Sequence, residues 1–146
     1  MSSIFTKIID GEIPGRFVWK DEKCVAFMDI QPASHGHLLV VPREEIDRWP
    51  ELPMALAAHL FAVAHKISGA LDRAFDKDRV ALMIAGFDVP HAHIHVFPTN
   101  TMADYDFSKV IKADEDKCVI EAHFDLSNYN MEQFFADNDV DYESED

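Results

Sequence analysis

The chain has 146 residues, 48% of them apolar, with 13 Lys or Arg against 27 Asp or Glu and a formal charge of −14. That length and apolar content suit one ordinary domain with a buried core. The acidic balance excludes a protein that wraps a nucleic-acid backbone, which needs clustered basic surface; nine acids fall in residues 118–146, which hold no Lys or Arg, leaving about −5 for the rest.

No run of eighteen apolar residues and no basic segment leading into an apolar one at the N-terminus can be read, so neither a membrane span nor a secretory signal is expected. The chain reads as soluble and cytoplasmic. Cys24 and Cys118 belong to no CxxC pair, so reduced, buried thiols are expected rather than a disulfide framework or a cysteine-rich zinc site.

In chain order, SIFTKII (residues 3–9) spaces Ile4, Phe5, Ile8 and Ile9 as a short helix, broken by Asp10-Gly11 and Pro14. FVWKD and CVAFMD, joined by a charged turn, predict a hairpin over Phe17–Asp29. HGHLLVVP (residues 35–42) predicts a strand with His37, Leu39 and Val41 on one face and Leu38 and Val40 on the other. His35 would share the face of His37, an inference that Gly36 loosens.

From Pro53 to Phe75, Leu56, Leu60, Val63, Ile67 and Leu71 follow steps of three and four, predicting a long amphipathic helix. His59 and His65 on it read as surface or dimer-contact residues. RVALMIA (residues 79–85) predicts a strand, Gly86-Phe87-Asp88 a turn, and Val89–Phe97 a last strand ending at Pro98. The order predicts an α+β fold: an antiparallel sheet covered by one long helix. Residues 1–112 are taken as the domain and 113–146 as an acidic extension. The extension offers one weak strand, CVIEAHF, a short apolar anchor, NMEQFFADN, and a solvated end, DYESED. His123 falls in it and has no assigned place.

VPHAHIHVFP (residues 89–98) puts three of the eight histidines into five residues. On a strand, His91, His93 and His95 project to one face, about 6.5 to 7 Å apart between successive Cα atoms. Pro90, Ala92, Ile94 and Val96 point the other way, towards the long helix. Three readings stay open. The histidines can be satisfied or solvent-facing side chains. They can hold a metal, since imidazole is a common zinc ligand, although the strand adds only Asp88. Or they can act in nucleophilic catalysis: an imidazole with a pKa of about 6.5 is largely neutral at neutral pH and basic enough to attack phosphorus. Like charges depress one another's pKa values, which would keep the central ring nucleophilic.

HAHIHVF (residues 91–97) fits His-φ-His-φ-His-φ-φ, with φ apolar, at all seven positions, and so resembles the histidine-triad (HIT) family. IFTKIIDGEIP, DEKCVAFMDI, PASHGHLLVVPRE and AGFDVPHAHIHVFP extend the resemblance over about residues 3–100, and the blocks are most similar to bacterial members. The resemblance implies a homodimer with a joined antiparallel sheet and a nucleotide site in each subunit. It implies hydrolysis or transfer at the α-phosphate of a nucleoside monophosphate conjugate, with a purine base by family analogy and no cofactor.

By that resemblance His93 is the nucleophile, His95 contacts the phosphate, His91 supports the site and the leaving group, and His37 belongs to the same hydrogen-bonded cluster. Asp29 matches the acid that binds the ribose hydroxyls, followed by Ile30. Ile4, Phe5, Ile8, Ile13 and Phe27 match positions that sandwich the base, although Ile8 and Phe27 equally suit the core. Asp88 and Val89, just before the triad, are likewise expected to contact the nucleotide. Phosphate charge is expected to be met by a partly protonated histidine cluster and by N–H groups around Gly86–Val89.

Three departures stand out. Members with structural zinc carry cysteines where this chain has Ser3 and Thr6, so no structural zinc is expected. The segment Ala85-Gly86-Phe87-Asp88 replaces the Ala-Gly-Gln-Ser or Ala-Gly-Gln-Thr of many members, and Arg79–Ala85 lacks an asparagine common in the family. Asp88 beside a phosphate would be repulsive unless protonated or paired, and would reward a cationic or amine leaving group. An enzyme, a nucleotide- or partner-binding protein with weakened turnover, and a zinc-dependent hydrolase are the three functional alternatives; nucleic acid and membrane are not expected partners.

Overall fold

A computed structural model describes residues 2–106. The expected acidic extension, with CVIEAHF and NMEQFFADN, and the domain boundary at residue 112 lie outside the described residues. The elements in order are α1 (Ile4–Ile9), β1 (Phe17–Lys20), β2 (Cys24–Met28), β3 (Leu38–Pro42), α2 (Met54–Ala74), β4 (Arg79–Met83) and β5 (Ile94–Thr99), with short 3-10 turns at Trp49–Glu51 and Met102–Tyr105. The strands form one antiparallel sheet in the order β1-β2-β3-β5-β4. The fold is thus the expected α+β sheet with one main covering helix.

The period-two pattern of β3 sorts the core. Leu38 and Val40 join Leu60, Val63, Ala64, Ile67 and Leu71 of α2, together with Ala92, Ile94 and Val96, in the main core. Leu39 and Val41 face the other side, where they pack with Val25, Phe27 and Phe5 of α1. The sheet therefore carries α2 on one face and leaves the other to α1 and a cleft. The β1–β2 turn is knotted by Asp21, whose Oδ1 accepts from Lys23 N–H (2.7 Å) and Cys24 N–H (2.8 Å), and whose Oδ2 accepts from Trp19 Nε1–H (2.7 Å) and His59 Nε2–H (2.8 Å). Polar groups that are mutually satisfied at a strand end hold its register.

Several strand boundaries differ from expectation. β5 begins at Ile94, not Val89, because His91 N–H donates to the Val89 carbonyl (2.7 Å) across Pro90, a three-residue turn that suits the fixed φ of proline. Pro90 is consequently exposed rather than packed under α2. At its other end β5 runs through Pro98 to Thr99: Pro98 pairs with Val80 of β4 beyond the end of β3, and its carbonyl accepts the Ser34 hydroxyl. The missing proline N–H removes no bond to β3 there. β3 likewise starts at Leu38. Gly36 turns the chain at φ +93°, where a Cβ would meet the Phe75 ring at 2.8 Å, and His35 is left exposed, off the face of His37.

Candidate active site

On the α1 side the sheet opens into a cleft of about 590 Å³, within the range of small-molecule sites. Its apolar wall comes from Ile4, Phe5 and Ile8 of α1, Ile13 beyond it, Phe27 of β2 and Leu39 of β3. Asp29, Ile30 and Gln31 line one end, Arg16 and Gly15 the rim, and Asp88 and Val89 the approach to His93 and His95. Phe5 stands edge-on to His93, with ring centroids 4.9 Å apart, and 5.6 Å from Phe27.

Backbone groups dictate the tautomers of the four histidines, because a carbonyl only accepts and an N–H only donates. His93 Nδ1 lies 2.7 Å from the His91 carbonyl, so it carries the proton and leaves the lone pair on Nε2. His37 Nδ1 accepts from Ala33 N–H (2.9 Å), so its proton is on Nε2, which donates to His95 Nδ1 at 2.9 Å. His95 is thereby protonated on Nε2, a hydrogen-bond donor on a ring that lines the cleft. His91 Nε2–H donates to the Pro42 carbonyl (2.8 Å), and its Nδ1 accepts the Ser3 hydroxyl (2.7 Å). One ring thus offers a lone pair and its neighbour, 4.7 Å away between centroids, offers a donor.

Burial sets the charges. It pushes His95 down to about 3, helped by the proximity of His93. It also holds His93 below its ordinary value, partly offset by the bond to the His91 carbonyl and by Asp29 and Asp88, and holds His91 down in the same way. The expected partly protonated cluster is therefore disfavoured: for His91, His93 and His95 desolvation outweighs the nearby carboxylates and penalises the charged ring. Burial raises Asp29, opposed by the Gln31 N–H bond and His93.

Of the expected residues, His93, His95, Asp29, Ile30, Ile4, Phe5, Ile8, Phe27, Asp88 and Val89 meet in the cleft. His91 and His37 do not line it. Both are fully buried behind it, with ring nitrogens bonded to protein groups, so His91 stands behind the cleft rather than in its lining. Arg16 and Gln31 on the rim, and Glu45, which binds Ser3 and Thr6, had no signal in the sequence beyond their charge or polarity.

Neither metal arrangement suits the donors. Asp29, His37 and His95 offer atoms within 4.8 Å of one another, but the two imidazoles are joined by one hydrogen bond that a metal would have to break. At the positions where zinc-binding members carry cysteines, Ser3 and Thr6 offer neutral hydroxyls already engaged with His91 and Glu45. Structural zinc takes thiolates and imidazoles, so these residues do not fit it. Asp21, Cys24 and His59 form another cluster, whose carboxylate is engaged by Trp19, Lys23, Cys24 and His59.

The family model for the HIT domain matches residues 10–102. The chain belongs to the HIT family. An uncharacterised HIT-like protein of Methanocaldococcus jannaschii is 37% identical over 99 residues, 65% of this chain and 77% of the relative. The adenylylsulfatase HINT3 of Arabidopsis thaliana is 33% identical over 100 residues, 65% of this chain but 51% of that protein, so the chain spans about half its length. A crystal structure of a HIT-family member from Bacillus subtilis superposes with a TM-score of 0.66 at 34% identity, covering 71% of this chain and 77% of that one. The HIT sheet is thus matched in solved structures as well as in sequence.

Proposed function

We propose that this HIT protein is a metal- and cofactor-independent nucleotide hydrolase or transferase acting at the α-phosphate of a nucleoside monophosphate conjugate. One observation carries the reading: the His91 carbonyl holds the proton of His93 on Nδ1, leaving a lone pair on Nε2 of a neutral ring that lines the cleft. His93 Nε2 attacks phosphorus, forming an N–P bond as the bond to the leaving group breaks. The positive charge that develops on the imidazole is met at Nδ1–H by the His91 carbonyl. His95 Nε2–H stabilises the charge on the phosphoryl oxygens. The leaving group takes up a proton from water. A water molecule then attacks phosphorus, breaks the N–P bond and restores His93, releasing the nucleotide and a proton.

The apolar wall of Ile4, Phe5, Ile8 and Phe27 suits a purine base, and Asp29 suits a ribose diol. The Arabidopsis relative is named for an activity on an adenylyl conjugate. Asp88 at the approach favours an amine leaving group over an anionic one. The assignment includes a homodimer, as the family resemblance implies, and a cytoplasmic location, as expected from a sequence in which no secretory signal is read. The same Asp88 supports a second reading, a nucleotide-binding protein with little turnover, because an acid near the nucleophile repels a phosphate.

AMP release from adenosine 5′-phosphoramidate and from diadenosine polyphosphates, in excess chelator, tests the proposal. Turnover by the wild type that is lost in His93→Ala is the expected result. Nucleotide binding without turnover in the wild type would leave only the second reading, and loss of turnover with chelator would point to a metal enzyme.

A further inference from the structure

The helix α1 has two jobs in this molecule, and they meet at its N-terminal end. Its Ile4, Phe5 and Ile8 line the cleft. Its N-cap, Ser3, reaches behind the cleft: the hydroxyl accepts from Thr6 N–H (3.0 Å), as an N-cap does, and lies 2.7 Å from His91 Nδ1. Ser3 and His91 are 88 residues apart in the chain and both are buried.

The direction of that bond follows from the atoms around it. The Thr6 hydroxyl donates to Glu45 Oε1 (2.7 Å), and Ser3 N–H donates to the same oxygen (2.8 Å). Ser3 Oγ already accepts the Thr6 N–H, and the alternative acceptor for its hydrogen, Thr6 Oγ1, is 3.4 Å away. The Ser3 hydrogen therefore goes to His91 Nδ1, which accepts because the proton of His91 is bonded through Nε2 to Pro42. The carbonyl of that same His91 accepts Nδ1–H of His93.

We propose that Ser3 is a positioning residue for the nucleophile: through its hydroxyl it fixes the ring and tautomer of His91, and through the His91 backbone it holds the proton of His93 on Nδ1. Glu45 orients Ser3 by binding its N–H and by taking the hydrogen of Thr6. Docking of α1, which forms the apolar wall, and alignment of His93 are then one structural event. The role rests on the proposed nucleophilic function of His93, but the geometry it predicts is observable without substrate.

Capping and donation can be separated by substitution at one position. Ser3→Thr keeps an N-cap and a hydroxyl donor. Ser3→Asp keeps a good N-cap but can only accept from His91. Ser3→Ala removes both. Each variant is compared by thermal melting, by kcat and KM for adenosine 5′-phosphoramidate, and by nitrogen-15 chemical shifts of the His91 and His93 rings in the absence of nucleotide. The expected result is a wild-type pattern for Thr, and for Ala and Asp a fall in kcat on the order of tenfold or more, typical of losing an orienting partner. KM should change by less than about threefold, and the protonated-Nδ1 signature of His93 should be weakened or mixed.

An Asp variant with wild-type kcat and an unchanged His93 signature would overturn the proposal and reduce Ser3 to a helix cap. The ring shifts keep the test valid if the wild type turns over none of the substrates: unchanged shifts in both Ala and Asp would overturn the positioning role on their own. Should Ala and Asp fail to fold, Glu45→Gln, at an exposed position, is read in the same way. It is expected to shift His91 and His93 in the same direction by a smaller amount, and no shift would count against the proposal.

Discussion

His37 Nε2 lies 2.9 Å from His95 Nδ1, so a side chain behind the cleft decides which nitrogen of a cleft side chain carries the proton. The decision begins with the backbone: Ala33 N–H occupies His37 Nδ1 and leaves only Nε2 to donate. If that relay supplies the phosphate contact, His37→Leu should lower kcat on the order of ten- to a hundredfold, with KM little changed. His37→Gln, whose amide can still donate, should recover part of the loss. Steady-state kinetics on both variants, with melting curves to verify folding, decides it; a Leu variant at wild-type kcat would remove His37 from the relay.

The acid limb of the pH profile carries a sign. Burial holds His93 below its ordinary value, while Asp29 and Asp88 partly oppose that. A nucleophile must be neutral, so kcat/KM should stay level as pH falls through about 6.5 and decline only below it. Removing a carboxylate that favours the imidazolium, as in Asp88→Asn, should move the limb to still lower pH. A limb at or above pH 6.5 in the wild type would contradict a desolvated, neutral His93.

Much of this site was legible because β3 obeys a period of two. The alternation put His37 and Leu39 on one face, opposite Leu38 and Val40, and the structure finds Leu39 in the cleft wall and His37 directly behind it. The same rule was stretched too far in β5. His91 and His93 precede the strand, and Pro90 with its three-residue turn sends His91 behind the cleft instead of into it. No local pattern reveals the partners of His91, since Ser3 and Pro42 reach it across 88 and 49 residues. Hydrogen bonds of that span depend on how α1 docks, and nothing in the spacing of residues 3–9 encodes the docking. The sequence offered mutual repulsion as a reason for a neutral central ring, but not the larger cause, because the burial of His91, His93 and His95 is set by the fold and not by their spacing.

Asp88 should act as a selector of leaving groups. It is exposed at the approach to His93 and lines the cleft, next to Phe87, whose side chain is 93% exposed. Replacing it by Asn or Ser removes a negative charge that disfavours a polyphosphate and favours an amine. The ratio of kcat/KM for a diadenosine polyphosphate to that for a phosphoramidate should rise by about 3- to 10-fold, as one solvent-screened charge at short range allows. Added salt should shrink the difference between wild type and variant. An unchanged ratio at low salt would show that Asp88 does not meet the leaving group.

Acid stability depends on a carboxylate remote from the chemistry. Asp21 has a side chain only 14% exposed, and burial pushes its pKa up, but hydrogen bonds from Trp19, Cys24, His59 and Lys23 outweigh that and bring it down to about 2 from 3.8. A carboxylate depressed in the folded state stabilises the fold above its unfolded value and loses that contribution as pH falls from about 3.8 towards 2. The contribution is on the order of 2 kcal/mol. In Asp21→Asn an amide group would face the Trp19 and His59 donors with hydrogens of its own, leaving N–H groups unpaired at the β1–β2 turn. The variant should therefore melt roughly 4 to 8 °C lower at neutral pH, and the gap from wild type should narrow between pH 4 and pH 2, where Asp21 takes up its proton. Melting temperatures of both proteins across that range test the argument, and a gap that stays constant with pH would assign the destabilisation to packing rather than to the charge of Asp21.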